Sequence, residues 1–142
     1  MLSVAALHAH YGASHVLQGV DLEVAAGQVV AVLGRNGVGK TTALRALIGL
    51  LAPSRGQVRL DGVEIAGWPA HRIARAGIAY VPEGRLIFPD LTVLLVEHDM
   101  DVVFRLAHAI TVLHRGAVIA DGPPDAVRAD PAVQRAYLGG LD

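Results

Sequence analysis

Gly34, Gly39, Lys40 and Thr41 fall in the run GRNGVGKT, and that spacing suits one kind of chemistry, the holding of phosphates. Glycines let successive backbone N–H groups turn toward phosphate oxygens, and a helix opening straight after them adds a partial positive charge. Arg35, Asn36, Gly37 and Val38 complete the loop, and Thr42 follows it. In such a loop Lys40 reaches the β- and γ-phosphates, and the Thr41 hydroxyl is a ligand for Mg²⁺. Of the twelve basic residues in the chain, Lys40 is the only lysine. A compact ammonium therefore stands where a point charge is needed, in a chain whose other side-chain cations are all arginines.

A loop of this kind works only between a buried strand and a helix. Val29 to Leu33, VVAVL, has no polar alternation and predicts a central strand covered on both faces. Lys40 to Leu51 is apolar nearly all round and predicts a buried helix that Pro53 ends. Upstream, LSVAALHAHYG predicts a strand ending at Tyr11 and Gly12, and a second strand runs through Leu22 and Val24. GQVRLDGVEI reads as a hairpin turning at Asp61-Gly62, and AITVLHRGAVIADG as another turning at Arg115-Gly116. WPAHRIARAG predicts a short helix from Pro69 to Gly77. IAYVP and TVLLV predict two further buried strands with a loop between them, and EHDMDVVFRLAH a helix opened by Asp99. Two short helices split at Asp130-Pro131 follow Pro123. Strands alternating with helices predict an α/β fold, with a mostly parallel sheet and antiparallel strands added at the N-terminus.

The bulk properties narrow the class. A chain of 142 residues has room for one domain with a real core. It is 53% hydrophobic with a mean hydropathy of +0.45, yet no apolar run reaches the ~18 residues of a membrane span. The opening MLSVAALHAHYG has neither a basic segment nor a long apolar core, so no signal peptide is expected. Net charge is −1 without a charge block, so no nucleic-acid partner is expected. The absence of cysteine removes disulfide scaffolds and thiolate metal sites. His8, His10, His15, His71, His108 and His114 have no metal-ligand spacing and read as structural or surface residues.

Small GTPases read guanine with Asn-Lys-x-Asp, which a chain with one lysine cannot supply. The remaining motifs resemble those of ABC transporter ATP-binding subunits, along essentially the whole chain. Tyr11 stands where that family stacks an aromatic residue on adenine. IAYVPEGRLIFPDLTV resembles the segment that senses the γ-phosphate. Glu83 replaces its usual Gln, as is familiar in branched-chain amino acid importers. TVLLVEHDMDVV resembles the switch segment that places His98 on the γ-phosphate, and GPPDAVRADPAVQRAYLG resembles the C-terminal end of the same importer subfamily. The resemblance implies a P-loop NTPase fold of the RecA-like kind, with ATP and Mg²⁺ as cofactors. It also implies permease subunits in the membrane and a second ABC subunit as partners. The location implied is cytoplasmic, peripheral on the inner face of the membrane.

Three parts of that family's machinery have no counterpart here. There is no Ser-Gly-Gly of the signature sequence that binds the partner's γ-phosphate. No Asp-Glu pair closes an apolar strand to supply a magnesium ligand and the catalytic carboxylate. Glu97 follows four apolar residues, but those residues fit the switch segment, and one strand cannot fill both roles. Only fourteen residues separate Glu83 from His98, where the family holds a helical subdomain, the signature helix and the Asp-Glu strand. A join through a shared Thr-Val at Thr92-Val93 accounts for all three losses. Residues 1–142 then form a single truncated domain without its helical subdomain, with a phosphate-loop half over 1–93 and a switch-histidine and C-terminal half over 94–142. In the family the Asp-Glu strand lies between the IAYVP and TVLLV strands, so its loss is expected to leave apolar surface uncovered. Two functions stay open: the ATP-binding component of an importer, or a nucleotide-binding remnant that does not hydrolyse. A small P-loop kinase would need a lid of clustered arginines, and Arg72, Arg75 and Arg85 make too weak a case for one.

Overall fold

A computed structural model describes residues 1–79, 93–96 and 100–137. Eight strands lie in two four-stranded sheets among these residues. The first sheet is antiparallel and holds β1 (Leu2–Tyr11), β2 (Ser14–Val24), β4 (Arg55–Leu60) and β5 (Val63–Glu64), in the order β2-β1-β4-β5. The second holds β3 (Val29–Leu33), β6 (Val93–Val96), β7 (Ala109–His114) and β8 (Ala117–Gly122), in the order β6-β3-β7-β8. Within it β3 runs parallel to both neighbours, and β8 returns antiparallel along β7. The antiparallel strands foreseen at the N-terminus thus do not extend the parallel sheet. They join the Asp61-Gly62 hairpin in a layer of their own.

β3 is buried on both faces, as its unbroken apolar run predicts. Val30 and Val32 face one core, shared with Leu7, Leu17 and Val58 of the antiparallel sheet and with α1 (Lys40–Leu47). Ala31 and Leu33 face a second core, closed by Ile110 and Val112 and by three short helices. These are α3 (Met100–Leu106), α4 (Pro124–Ala129) and α5 (Pro131–Tyr137). Successive residues of β3 thereby anchor two layers, because strand side chains alternate between faces.

Three expectations need correction or fall elsewhere. The helix foreseen over Lys40–Leu51 ends at Leu47. Gly49 takes φ +75 against the Trp68 backbone, a left-handed stop that precedes Pro53. Leu50 is in consequence exposed rather than buried, and so are Thr41 and Arg45 within the helix. Second, Ile78 and Ala79, which open the foreseen IAYVP strand, are in no strand, and the segment from Tyr80 lies outside the described residues. Asp99, foreseen to open α3, also lies outside them. The short helix α2 (Ala70–Arg75) does begin at Pro69 and stop before Gly77. Among the described residues no helix is long and apolar enough to cross a membrane.

Candidate functional site

The phosphate-loop sequence joins β3 to α1, so one buried strand and one packed helix fix its two ends. Gly39 is the residue before the helix, at φ +110, and no side chain caps the first turn. A β-carbon on Gly39 would lie 2.8 Å from Leu17 Cδ2, so both the backbone angle and the packing demand glycine. With no capping side chain and no acidic residue in the first turn, the free N–H groups of α1 remain available to an anion. Ala43, Ala46 and Leu47 bury one side of the helix, which holds its N-terminus in place.

Lys40 bends back over the loop. Its ammonium donates to the carbonyls of Gly34 at 2.5 Å and Arg35 at 3.0 Å. Its side chain borders an apolar cavity with Val32, Ala43, Leu94 and Thr111. Partial burial there holds the Lys40 pKa below its ordinary value. The ammonium is held within the loop by two carbonyls that a phosphate's negative charge would outcompete. Arg35, Asn36 and Gly37 are exposed, while Val38 and Gly39 are buried. Thr41 is exposed and Thr42 is buried beside it.

A third element braces the loop, which the sequence did not announce. The turn of the β7–β8 hairpin crosses beneath it, where Gly116 N–H donates to the Val38 carbonyl at 3.0 Å and the Gly116 carbonyl accepts from Gln18 N–H at 2.8 Å. Gly116 has φ +82, and a β-carbon there would run into the Val16 carbonyl. Gly116→Val is expected to destabilise the chain by at least about 2 kcal/mol, read as a lowered urea midpoint, and to weaken any ligand of the loop. An unchanged midpoint would show that the crossing does not matter. At the other end of β3, Val29 N–H donates to His108 Nδ1 at 3.0 Å and Val29 C=O accepts from His108 N–H at 2.7 Å. His108 thus acts structurally, as its sequence context suggested.

At the first turn of α1 the exposed Thr41 is the residue that would offer a hydroxyl to magnesium. Among the described residues no group of three or more His, Asp or Glu side chains is arranged to hold a metal ion. An ion there would be held with phosphate oxygens and water beside the Thr41 hydroxyl.

Of the other foreseen residues, Tyr11 ends β1 and is 43% exposed. Its hydroxyl accepts a hydrogen bond from Arg45 Nη1 of α1 at 3.2 Å, which places it beside the same helix that opens at Lys40. Arg45 was not foreseen, since nothing in its sequence position points to β1. His98 and Glu83, the two residues expected at the γ-phosphate, lie outside the described residues, as does Glu97. His8, His10 and His15 stack in a ladder on the β1–β2 hairpin, with His8 Nδ1 and His15 Nε2 2.9 Å apart.

The profile of the ABC transporter family matches residues 17–135. The chain belongs to the ABC transporter family. Among curated relatives, this ABC chain is 37% identical to the Fe(3+) ions import ATP-binding protein FbpC of Mesorhizobium japonicum, over 99% of its own length and 34% of the relative's. It is 42% identical to the high-affinity branched-chain amino acid transport ATP-binding protein BraG of Pseudomonas aeruginosa, over 66% of its own length and 40% of the relative's. The chain thus spans between a third and two fifths of the length of these two relatives. BraF of the same organism aligns differently, at 25% identity over 249 residues that cover 98% of both chains. Since this chain has only 142 residues, more than a hundred positions of that alignment face gaps inside it. The fold matches a nucleotide-free ATP-binding cassette from an ABC transporter, with a TM-score of 0.85 over 96% of this ABC chain and 98% of the other, at 16% identity.

Proposed function

We propose that this chain is the ATP-binding component of an ABC importer lineage for branched-chain amino acids, and that by itself it binds ATP without hydrolysing it. The observation that carries the binding is the loop between β3 and α1, with an uncapped helix N-terminus and Lys40 poised over it. In this reading the backbone N–H groups of the loop and Lys40 take the phosphates, Thr41 contributes to Mg²⁺, and Tyr11 stacks on the adenine. His98 and Glu83 would sit at the γ-phosphate, as the family resemblance implies. The branched-chain assignment rests on Glu83 and on the relatives BraG and BraF. FbpC, named for iron import, keeps other cargoes in play for the lineage.

The second half of the proposal, binding without turnover, is favoured by a separate observation. Phosphoryl transfer to water needs a positioned water and stabilised charge. The sequence has neither the Asp-Glu carboxylate nor the signature that would act across a dimer. The gaps opposite BraF fit a block lost from within the chain, and the shared Thr-Val at Thr92-Val93 is where the sequence suggests the join. Membrane permease subunits and a second ABC subunit would be its partners, at the inner face of the membrane. A full-length homologue as that second subunit would give half a working site.

Titration of the chain with a fluorescent ATP analogue, beside a phosphate-release assay, tests both halves. Saturable binding with release at the buffer's own rate is the expected result. Release above that rate that disappears in Lys40→Ala would overturn the claim of no turnover, and absence of saturable binding would overturn the claim of binding.

A further inference from the structure

Tyr11 closes β1 and pairs with Ser14 across a two-residue turn. The backbone around it is well held. The ring of His10 stacks on that of His15 at 4.2 Å between centroids, and His10 Nδ1 lies 2.9 Å from Ser54 Oγ. Tyr11 itself is 43% exposed at the end of the strand. An exposed side chain that must stack on a ligand loses rotamer freedom on binding, and that loss weakens affinity.

Arg45 removes that freedom beforehand. Its Nη1 donates to the Tyr11 hydroxyl at 3.2 Å, from a helix whose other end carries Lys40 and Thr41. Arg45 lies five residues beyond Lys40, which is about 7.5 Å along the helix axis. One helix therefore bears the cation expected at the phosphates and, little more than a turn along, the cation that holds the aromatic ring. The separation suits a ligand with phosphates at one end and a flat base at the other.

We infer that Arg45 is a positioning residue for the base. It holds the Tyr11 phenol so that the ring stands ready to stack, and it raises affinity for a nucleoside triphosphate without adding affinity for bare polyphosphate. This rests on the reading of Tyr11 as the base-stacking residue. Arg45 is not placed at the phosphates, and its effect on the base runs through the tyrosine.

Calorimetric titration of the full chain with ATP and with inorganic tripolyphosphate separates these claims, using wild type, Tyr11→Ala, Tyr11→Phe, Arg45→Gln, Arg45→Lys and the Tyr11→Phe/Arg45→Gln double variant. Tripolyphosphate should bind all six alike. Tyr11→Ala should weaken ATP by about tenfold or more, the scale of a lost base–aromatic stack. Tyr11→Phe and Arg45→Gln should each weaken ATP by about threefold to tenfold, the scale of one hydrogen bond. The double variant should be no weaker than either single one, and Arg45→Lys should recover part of the loss. If Tyr11→Ala leaves ATP binding intact, the stacking reading itself is wrong. If Tyr11→Ala weakens ATP but Arg45→Gln does not, or the two small losses add, Arg45 does not act through Tyr11. Equal weakening of ATP and tripolyphosphate by Arg45→Gln would place it at the phosphates and overturn the inference.

Discussion

Lys40→Ala is expected to abolish ATP binding, with at least a hundredfold rise in Kd, while the chain keeps its stability to within about 0.5 kcal/mol. The two outcomes separate because the ammonium has little to do with the fold. Among the described residues it bonds to the carbonyls of Gly34 and Arg35, which lie in a half-buried to exposed loop where water can replace it. Alanine is the best helix former, so the first position of α1 loses nothing in backbone propensity. For ATP the balance is different. Charge-assisted hydrogen bonds to the β- and γ-phosphates contribute about 1.5–3 kcal/mol each, and two of them exceed a hundredfold in affinity. Lys40→Arg should not restore binding, because a planar fork does not fit a cradle shaped for a compact ammonium. Titration with a fluorescent ATP analogue, paired with urea unfolding of the same preparations, gives both readings. A variant that still binds within a factor of about three would show that the nucleotide does not sit on this loop.

How far this site could be read from sequence depends on what kind of contact each residue makes. The loop was legible because its chemistry is local. Glycine spacing, a lysine and the flanking apolar runs lie within one continuous stretch, and β3 occupies Val29–Leu33 as its pattern foretold. Both hairpin turns were legible for the same reason, since Asp61-Gly62 and Arg115-Gly116 take the left-handed angles that their residue types allow. The end of α1 was not. Periodicity continued to Leu51, and the stop at Gly49 is set by its contact with Trp68, nineteen residues away in the chain. Gly116 bracing Val38 and Arg45 holding Tyr11 are likewise contacts between distant segments. Their residue types signal a turn and a surface cation and nothing more. The partition into two sheets was also hidden, because the hairpin of β4 and β5 carries the same alternation whichever sheet it joins.

On the proposed loss of an internal block, restoring that block should convert a binder into an enzyme. A segment from a branched-chain relative, running from its γ-phosphate-sensing loop through the signature and the Asp-Glu strand, can be inserted at Thr92-Val93. ATP turnover should then rise by at least about a hundredfold over the chain as it stands, the scale on which preorganised charge stabilisation acts. Three effects combine in that number. The Asp-Glu strand would supply the carboxylate that orients the attacking water, which no described residue near Lys40 does. It would also lie along the outer edge of β6, where the described residues show no strand partner, and pair with its hydrogen-bonding groups. The signature would act on the nucleotide of a second copy, so turnover per chain should climb with protein concentration in the graft. Replacing the grafted glutamate by glutamine should return the rate to baseline while ATP binding persists, because the loop between β3 and α1 is untouched. A graft that folds, binds ATP and remains inactive would mean that the 142-residue chain is not simply a deleted cassette. A native chain that already hydrolyses ATP in a Lys40-dependent way would mean that its carboxylate lies elsewhere in the sequence.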